Sequence, residues 1–314
     1  MSTARPFVFF SSSLDSPEAW RRALDQELGE FDFVVGPECA DPAKVDVALV
    51  YSVPRGGLRR FENLKAVVSL SAGVNQFRRQ DLPPFARLCR SVDRSLTQHM
   101  VVYARAAVLR YLRRFDHFER SSREALWRFE APQRPQDMSV GVLGLGELGS
   151  AIALALGQDG FQVHGWSRST RTLNGVIGHT GEAGLRALAG AVEIVLNVLP
   201  LNTQTRGILN RDLFSAMRDG SYLINMGRGA HLVEYDLLDA LGTGKIAGAT
   251  LDVASVEPLP SEHALWRQPS VLITPHVAGL TETRTAATAV AQNIRRAMSG
   301  APLHNEVEVS SLEP

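Results

Sequence analysis

The 314-residue chain has two cysteines, Cys39 and Cys89, and neither lies in a C-x-x-C pattern or near a histidine cluster. Two isolated thiols give no disulfide framework, so they read as buried or idle groups in a reducing cytoplasm. Net charge is missing as well. Lys plus Arg (33) equals Asp plus Glu (33), with a pI near 7.1, so no global field gathers nucleic acid or an acidic membrane surface. No apolar run approaches the roughly 18 to 20 residues that a membrane helix requires. Phe7 to Phe10, after Arg5, is followed at once by Ser11, Ser12 and Ser13. That run is too short for the hydrophobic region of a signal peptide, and a first β-strand is expected there instead. No Cys/His/Asp set has metal-ligand spacing, so no metal is expected. Nor does a repeat or low-complexity tract interrupt the chain. The partners left are small molecules.

What is present describes a globular α/β protein long enough for two domains: 45% of residues are apolar and 21% charged. Short apolar runs alternate with helical ones, the signature of parallel sheets covered on both faces. Residues 1–95 form a first α/β domain. It has strands at Pro6–Phe10, Asp32–Val35, Val45–Tyr51, Ala66–Leu70 and Leu88–Val92, a helix at Asp15–Leu28 and a short helix near Leu58–Asn63. Residues 96–280 form a second, doubly wound domain. It opens on a long helix, Thr97–Glu119, whose arginines are interleaved with Asp116 and Glu119 and so suit a solvated or subunit-facing surface better than a nucleic-acid one. Residues 281–314 follow as a tail. The amphipathic helix Ala278–Met298 is expected to return to the first domain.

The second domain is organised around Ser139–Gly149, SVGVLGLGELG. A buried strand is followed by Gly144, Gly146 and Gly149 in the spacing G-x-G-x-x-G, then by a helix-like run, Ser150–Leu156. One glycine serves the turn, one lets backbone approach a pyrophosphate, and one permits close helix–strand packing. Free N–H groups at the helix start receive the phosphates. Phe161–Trp166 supplies the second strand of the β-α-β unit. Just past it an NAD site places Asp or Glu for the ribose 2'-OH, whereas an NADP site offers Arg to the 2'-phosphate. Here the chain reads Trp166, Ser167, Arg168, Ser169, Thr170, Arg171, with hydroxyls and guanidiniums but no carboxylate. NADP(H) is therefore preferred, with Arg168 as its main ligand; NAD(H) stays possible.

Three polar residues fall just beyond later strands, where open α/β sheets bind ligands: Arg228 after Ile224–Gly227, Glu257 after Leu251–Val253, and His276 after Thr274–Pro275. Reduction of a 2-oxo acid needs a group to hold the carboxylate, a group to polarise the ketone and a proton donor. The fork of Arg suits the first two. His suits the third, because its ordinary pKa of about 6.5 lets it donate and accept near neutrality. Glu257 would orient the imidazole.

The stretches GLGELG, LPLN, INMGRGA, LLDAL, GATLDVASVEPLP, HALW and ITPHVAG resemble the D-isomer-specific 2-hydroxyacid dehydrogenase family. Within it, Trp166–Arg168 and YLRRFD (Tyr111–Asp116) look most like the glyoxylate/hydroxypyruvate reductase A branch. The resemblance implies a Rossmann-type NAD(P)-binding domain, a flavodoxin-like substrate domain and a homodimer formed through the cofactor domain. It also implies NADPH-dependent reduction of glyoxylate and hydroxypyruvate. In this chain it makes Arg228, Glu257 and His276 the catalytic set. Glu147, Leu148, Leu199, Pro200, Met226, Gly227, Asp252, His276 and Ala278 join the cofactor site, with Asp252 at the nicotinamide amide. Tyr51, Ala72, Gly73 and Val74, after Ser71, line the substrate with Arg228 and His276. Two departures stand out: Tyr51 sits where that branch often has Trp, and Glu147 sits where relatives often carry Arg.

His99, His117, His164, His179, His231, His263 and His304 lie outside any motif and receive no role, and Trp266 is read as packing against Pro258–Pro260. Two other readings of the same motifs stay open. One is a dinucleotide-sensing corepressor-like binding protein; the other is a family dehydrogenase for a larger or phosphorylated 2-oxo acid.

Overall fold

A computed structural model describes residues 5–51 and 54–312. In chain order the elements are β1 (Phe7–Ser11), α1 (Pro17–Leu28), β2 (Asp32–Val35), β3 (Val47–Val50), β4 (Ala66–Ser69), β5 (Arg87–Arg90), α2 (Arg94–Leu112) and α3 (Phe115–Arg123). Next come β6 (Ser139–Leu143), α4 (Glu147–Gln158), β7 (Gln162–Ser167), β8 (Val176–Thr180), α5 (Gly181–Ala191), β9 (Ile194–Asn197) and α6 (Arg211–Ala216). The last are β10 (Ser221–Asn225), α7 (Glu234–Gly242), β11 (Ile246–Leu251), β12 (Val271–Ile273), α8 (Thr283–Ser299) and β13 (Glu306–Val307). They form two compact units, Met1–Leu96 with Leu280–Pro314, and Thr97–Gly279.

The first unit is a six-stranded sheet in the order β13-β5-β4-β3-β1-β2, parallel except for β13. Without β13 this is the flavodoxin-like order. Alternation along β1 sends Val8 and Phe10 to one face and Phe9 to the other, and all three are buried. Helix α1 begins under Ser16, whose Oγ accepts the Ala19 N–H at 3.2 Å, and Pro17 supplies a preset φ. It buries Trp20 and Leu24, one turn apart. Ala286, Ala287, Val290, Ala291 and Ile294 of α8 join the same core, so the C-terminal helix does cover this sheet. Cys89 lies here too, where burial pushes its thiol up to about 12 and leaves it inert.

The second unit is a seven-stranded parallel sheet, β12-β11-β10-β9-β6-β7-β8. Counted from β6, its first six strands follow the Rossmann order 3-2-1-4-5-6. One face packs Leu143, Val195, Leu223 and Leu251 against Leu188 of α5, Leu213 of α6 and Leu237 of α7. Helix α2 is tied to the sheet where Tyr111 stacks on Tyr222 at 4.1 Å and its hydroxyl meets Thr250 Oγ1 at 2.7 Å.

Several expected elements differ. Thr97–Glu119 is not one helix: Arg114 takes a left-handed conformation, φ 59°, and splits it into α2 and α3. Leu58–Asn63 is a run of turns, with Phe61 N bonded to Leu58 O and Leu64 N to Phe61 O, that buries Leu58, Phe61 and Leu64 at helix-like spacing. Strands β8 and β13 add to the expected set. The final helix starts at Thr283, five residues later than expected, because Ala278 is held in the loop after β12.

Candidate active site

Strand register places the site. Trp166, Leu143, Asn197, Asn225, Leu251 and Ile273 pair across β7, β6, β9, β10, β11 and β12 as one row. Each strand's chain leaves the sheet just past this row. The departures are pinned by backbone bonds from Gly144 N to Trp166 O, Val198 N to Leu143 O, Met226 N to Asn197 O, Asp252 N to Asn225 O and Thr274 N to Leu251 O, at 2.8–3.1 Å. Nearly every position read as functional in this unit therefore lies along one edge, the carboxyl end of the sheet.

The three glycines differ in what they require. Gly144 has φ +103°, a conformation that L side chains rarely adopt. A Cβ on Gly149 would stand 1.7 Å from Gly144 O, so helix and turn touch there through backbone alone. A Cβ on Gly146 would meet nothing within 4 Å. The space above Gly146 is open, and intrahelical bonding in α4 begins only at Ser150, whose N–H reaches Gly146 O. This is the cradle a pyrophosphate requires, and the residues present fit a dinucleotide. Glu147, exposed at the first position of α4, brings a negative charge to that end, while Leu148 is half-buried. Leu199, Met226 and Gly227 are buried beside the row, and Pro200 is exposed.

At the end of β7, Ser167 Oγ donates to Ser169 O at 2.7 Å, and Trp166 Nε1 to Gly181 O at 2.8 Å. Arg168 and Arg171 are exposed, and neither pairs with a carboxylate among the described residues.

Beyond β11 and β12, His276 Nδ1 and Glu257 Oε2 are 2.8 Å apart. His276 itself is left-handed, φ 56°. The turn is held by Asp252, 2% exposed: its Oδ1 accepts the Thr274 hydroxyl at 2.6 Å and the Val277 N–H at 2.8 Å, and its Oδ2 accepts the Ala278 N–H at 2.9 Å. The His276 N–H reaches the Asp252 carbonyl at 2.8 Å. A carboxylate offers about four acceptor directions. Three are filled here, leaving one for an amide N–H. Tyr103 of α2 closes the chain, its hydroxyl 2.6 Å from Thr274 Oγ1. Burial pushes this phenol up to about 12, so it stays protonated. Nearby, Trp266 is half exposed and its Nε1 donates to Pro260 O at 2.9 Å.

Arg228 leaves β10 through Gly227, and its Nη1 donates to Gly227 O at 2.7 Å. Beneath it lie Asn197, Asn225 and His231, all fully buried. His231, given no role from sequence, accepts the Arg228 N–H on Nδ1 at 3.1 Å.

In the first unit, Tyr51 follows β3, and Ser71, Ala72, Gly73 and Val74 follow β4. Ser71 Oγ donates to Gly73 O at 2.7 Å. Gln76 ties the loop together: its Nε2 donates to Tyr51 O at 3.0 Å and to Ser71 Oγ at 3.1 Å. Sequence reading missed Gln76, Tyr103, Thr274 and His231. Thr274 lies inside ITPHVAG but was passed over beside His276, the other three lie outside the quoted motifs, and each acts through a residue distant in sequence or through backbone.

Among the described residues no group of three or more His, Cys, Asp or Glu is placed to hold a metal ion, and no helix is long and apolar enough to cross a membrane. Residues 105–278 match the family model for the D-isomer specific 2-hydroxyacid dehydrogenase NAD binding domain. Glyoxylate/hydroxypyruvate reductase A of Serratia proteamaculans is 39% identical over 293 residues, covering 91% of this chain and 93% of that protein. The Escherichia fergusonii protein of the same name is 38% identical over 307 residues, 96% and 97% of the two chains. Among solved structures, a D-isomer specific 2-hydroxyacid dehydrogenase from Xanthobacter autotrophicus Py2 in complex with NADPH and MES superposes with a TM-score of 0.95 at 39% identity, covering 98% and 99%. An NADPH-dependent glyoxylate/hydroxypyruvate reductase from Sinorhizobium meliloti, in complex with NADP and sulfate, gives 0.88 at 33% identity, also covering 98% and 99%. With a Rossmann-ordered sheet, an open glycine cradle and a carboxylate-backed imidazole at one sheet edge, the chain belongs to the D-isomer specific 2-hydroxyacid dehydrogenase family and is an oxidoreductase.

Proposed function

We propose that the protein is an NADPH-preferring reductase that converts the small 2-oxo acids glyoxylate and hydroxypyruvate into D-2-hydroxy acids. The observation that carries this reading is the 2.8 Å pair of His276 Nδ1 and Glu257 Oε2 at the carboxyl edge of the sheet. The names of the relatives and the nucleotides bound in related structures support the substrate and cofactor. NADPH preference is further supported by Arg168, which follows β7 in a stretch without an acid.

A dinucleotide held on the Gly144–Gly149 turn would supply the hydride. Glu257 accepts a hydrogen bond from His276 Nδ1–H, which fixes the ring and stabilises its charged form. Nε2 then protonates the carbonyl oxygen as the carbon receives the hydride. Hydride and proton together make the 2-hydroxy acid, and the half-exposed imidazole regains its proton from water. Arg228 holds the substrate carboxylate and polarises the ketone. The first unit, with the Ser71–Val74 loop, acts as the substrate domain and Thr97–Gly279 as the cofactor domain. We place the enzyme in the cytoplasm, in keeping with its two free thiols. We assign it a homodimeric state, supported by the exposed Trp127 and Phe129 of the second unit. Light scattering tests the last point, and a monomer would overturn it.

NADPH consumption with glyoxylate and hydroxypyruvate tests the activity. His276→Gln and Arg228→Ala should each lose orders of magnitude in kcat/KM. Arg168→Asp should shift preference from NADPH towards NADH. Rates near wild type in the first two exclude the assigned roles, and an unchanged ratio in the third excludes Arg168 as the phosphate ligand.

A further inference from the structure

Beneath the turn that carries Arg228 the fold buries a polar node. Asn197 ends β9 and Asn225 ends β10, paired in register, and His231 closes the 3-10 turn that follows Arg228. All three are 0% exposed. The Leu199 N–H donates to Asn197 at 3.2 Å and the Gly227 N–H to Asn225 at 3.3 Å. Because a backbone N–H only donates, the atoms it meets are the amide oxygens, which fixes the orientation of both side chains. Asn197 Nδ2 therefore points the other way, donating to Asn225 Oδ1 at 2.9 Å and to His231 Nδ1 at 3.0 Å. The same Nδ1 receives the Arg228 N–H at 3.1 Å, and Asn225 Nδ2 donates to the Arg228 carbonyl at 3.2 Å. Two donors on one ring nitrogen require it to be unprotonated, so the imidazole is neutral with its proton on Nε2. Burial, with Arg228 and Arg206 adding charge nearby, pushes His231 down to about 4 and keeps that acceptor available near neutrality. Gly227 completes the fit: a Cβ there would lie 2.8 Å from Asn197 Nδ2 and 3.0 Å from His231 Nδ1.

We propose that His231 is a positioning residue: with Asn197 and Asn225 it fixes the backbone on both sides of the Arg228 Cα, and through Asn197 it ties that backbone to the Leu199–Pro200 turn. The proposal rests on the reading of Arg228 as the carboxylate anchor. If Arg228 holds the substrate alike in ground and transition states, loosening its support raises KM more than it lowers kcat.

Two variants separate this role from bulk stability. His231→Leu keeps apolar volume and removes the acceptor, whereas His231→Asn keeps an acceptor close to the Nδ1 position. With glyoxylate and NADPH, His231→Leu should raise KM about tenfold, the equivalent of roughly 1.4 kcal/mol, while kcat falls less than about threefold. His231→Asn should return KM to within about threefold of wild type even if its melting temperature stays low. An unchanged KM in His231→Leu, or an equal rise in both variants, overturns the proposal. Should His231→Leu fail to fold, histidine-selective 15N NMR of the wild-type protein decides: one imidazole should keep an unprotonated Nδ1 without titrating between about pH 5.5 and 8. A protonated Nδ1 at His231 overturns the proposal without any variant. Arg228→Ala is measured alongside. If its KM is unchanged, the anchor reading fails; if its KM rises and that of His231→Leu does not, only the positioning role of His231 fails.

Discussion

Asp252→Asn tests whether the His276 turn depends on the charged group behind it. The wild-type carboxylate takes three donors at 2.6–2.9 Å while 2% exposed, and His276 beside it is left-handed. An asparagine has one acceptor oxygen, and its NH₂ group must face either the Ala278 N–H or the Thr274–Val277 pair. Losing a hydrogen bond to a charged acceptor costs about 1.5–3 kcal/mol, and stranding a buried N–H costs about 1–3 kcal/mol more. Roughly 3–5 kcal/mol is thus withdrawn from a turn whose left-handed residue already costs about 1–3 kcal/mol. The turn should relax and move the imidazole, and a misplacement of about 1 Å is worth on the order of a hundredfold in rate. Steady-state kinetics with saturating NADPH should show kcat falling about a hundredfold, with NADPH affinity, read by fluorescence titration, changed less than about threefold. Weakened NADPH binding at unchanged kcat would refute the reasoning and assign Asp252 to the cofactor amide alone. Tyr103→Phe removes one neutral bond from the far end of the same chain, worth about 1 kcal/mol. Its kcat should therefore stay within about threefold of wild type.

The glycines of the cradle should separate folding from binding. Gly146→Ala leaves the melting temperature unchanged but weakens NADPH binding, because its Cβ enters space open in the protein; equal affinity would sink this. Gly149→Ala lowers the melting temperature in the absence of nucleotide, since its Cβ meets backbone at 1.7 Å, and an unaffected melting curve would count against the fit described. A third expectation concerns acid. The unfolded chain's imidazole binds a proton from about pH 6.5 downwards, whereas folded His231 does so only at about 4. The unfolded state therefore holds more protons across that window, and stability drops as pH falls through it, by at most about 3 kcal/mol from this group. Denaturant titrations from pH 7 to about pH 4 should show wild type losing more stability than His231→Asn, and parallel losses would remove His231 as the cause.

How much of the fold and site was legible in the sequence depended on whether a feature announces itself locally. The turn from β6 to α4 did, because three glycines at fixed spacing between an apolar strand and a helical run specify one kind of turn. So did the places of Arg228, Glu257 and His276 in the chain beyond β10, β11 and β12, each following an apolar strand. Strand β8 did not. Its five residues, VIGHT, are exposed or half-buried throughout, so edge pairing with β7 rather than burial makes it a strand. Leu58, Phe61 and Leu64 carried a helical period, yet successive i to i+3 turns bury them equally well. The break between α2 and α3 falls on an arginine, where no glycine or proline marks it. His231 was opaque for another reason. Its partner Asn197 lies 34 residues away, and what it holds is a backbone amide, which leaves no trace in residue identity.

The aligned row of strand ends has a consequence for how this enzyme changes over time. Neighbouring strands lie about 4.8 Å apart, so β7 and β12 are separated by roughly 24 Å along the sheet. On the assignments proposed above, the guanidinium that would select the coenzyme sits at one end of that span and the proposed proton donor at the other. Substitutions so far apart add independently. A lineage can therefore exchange NADPH for NADH through a few residues after β7 while its proton chemistry stays as it was.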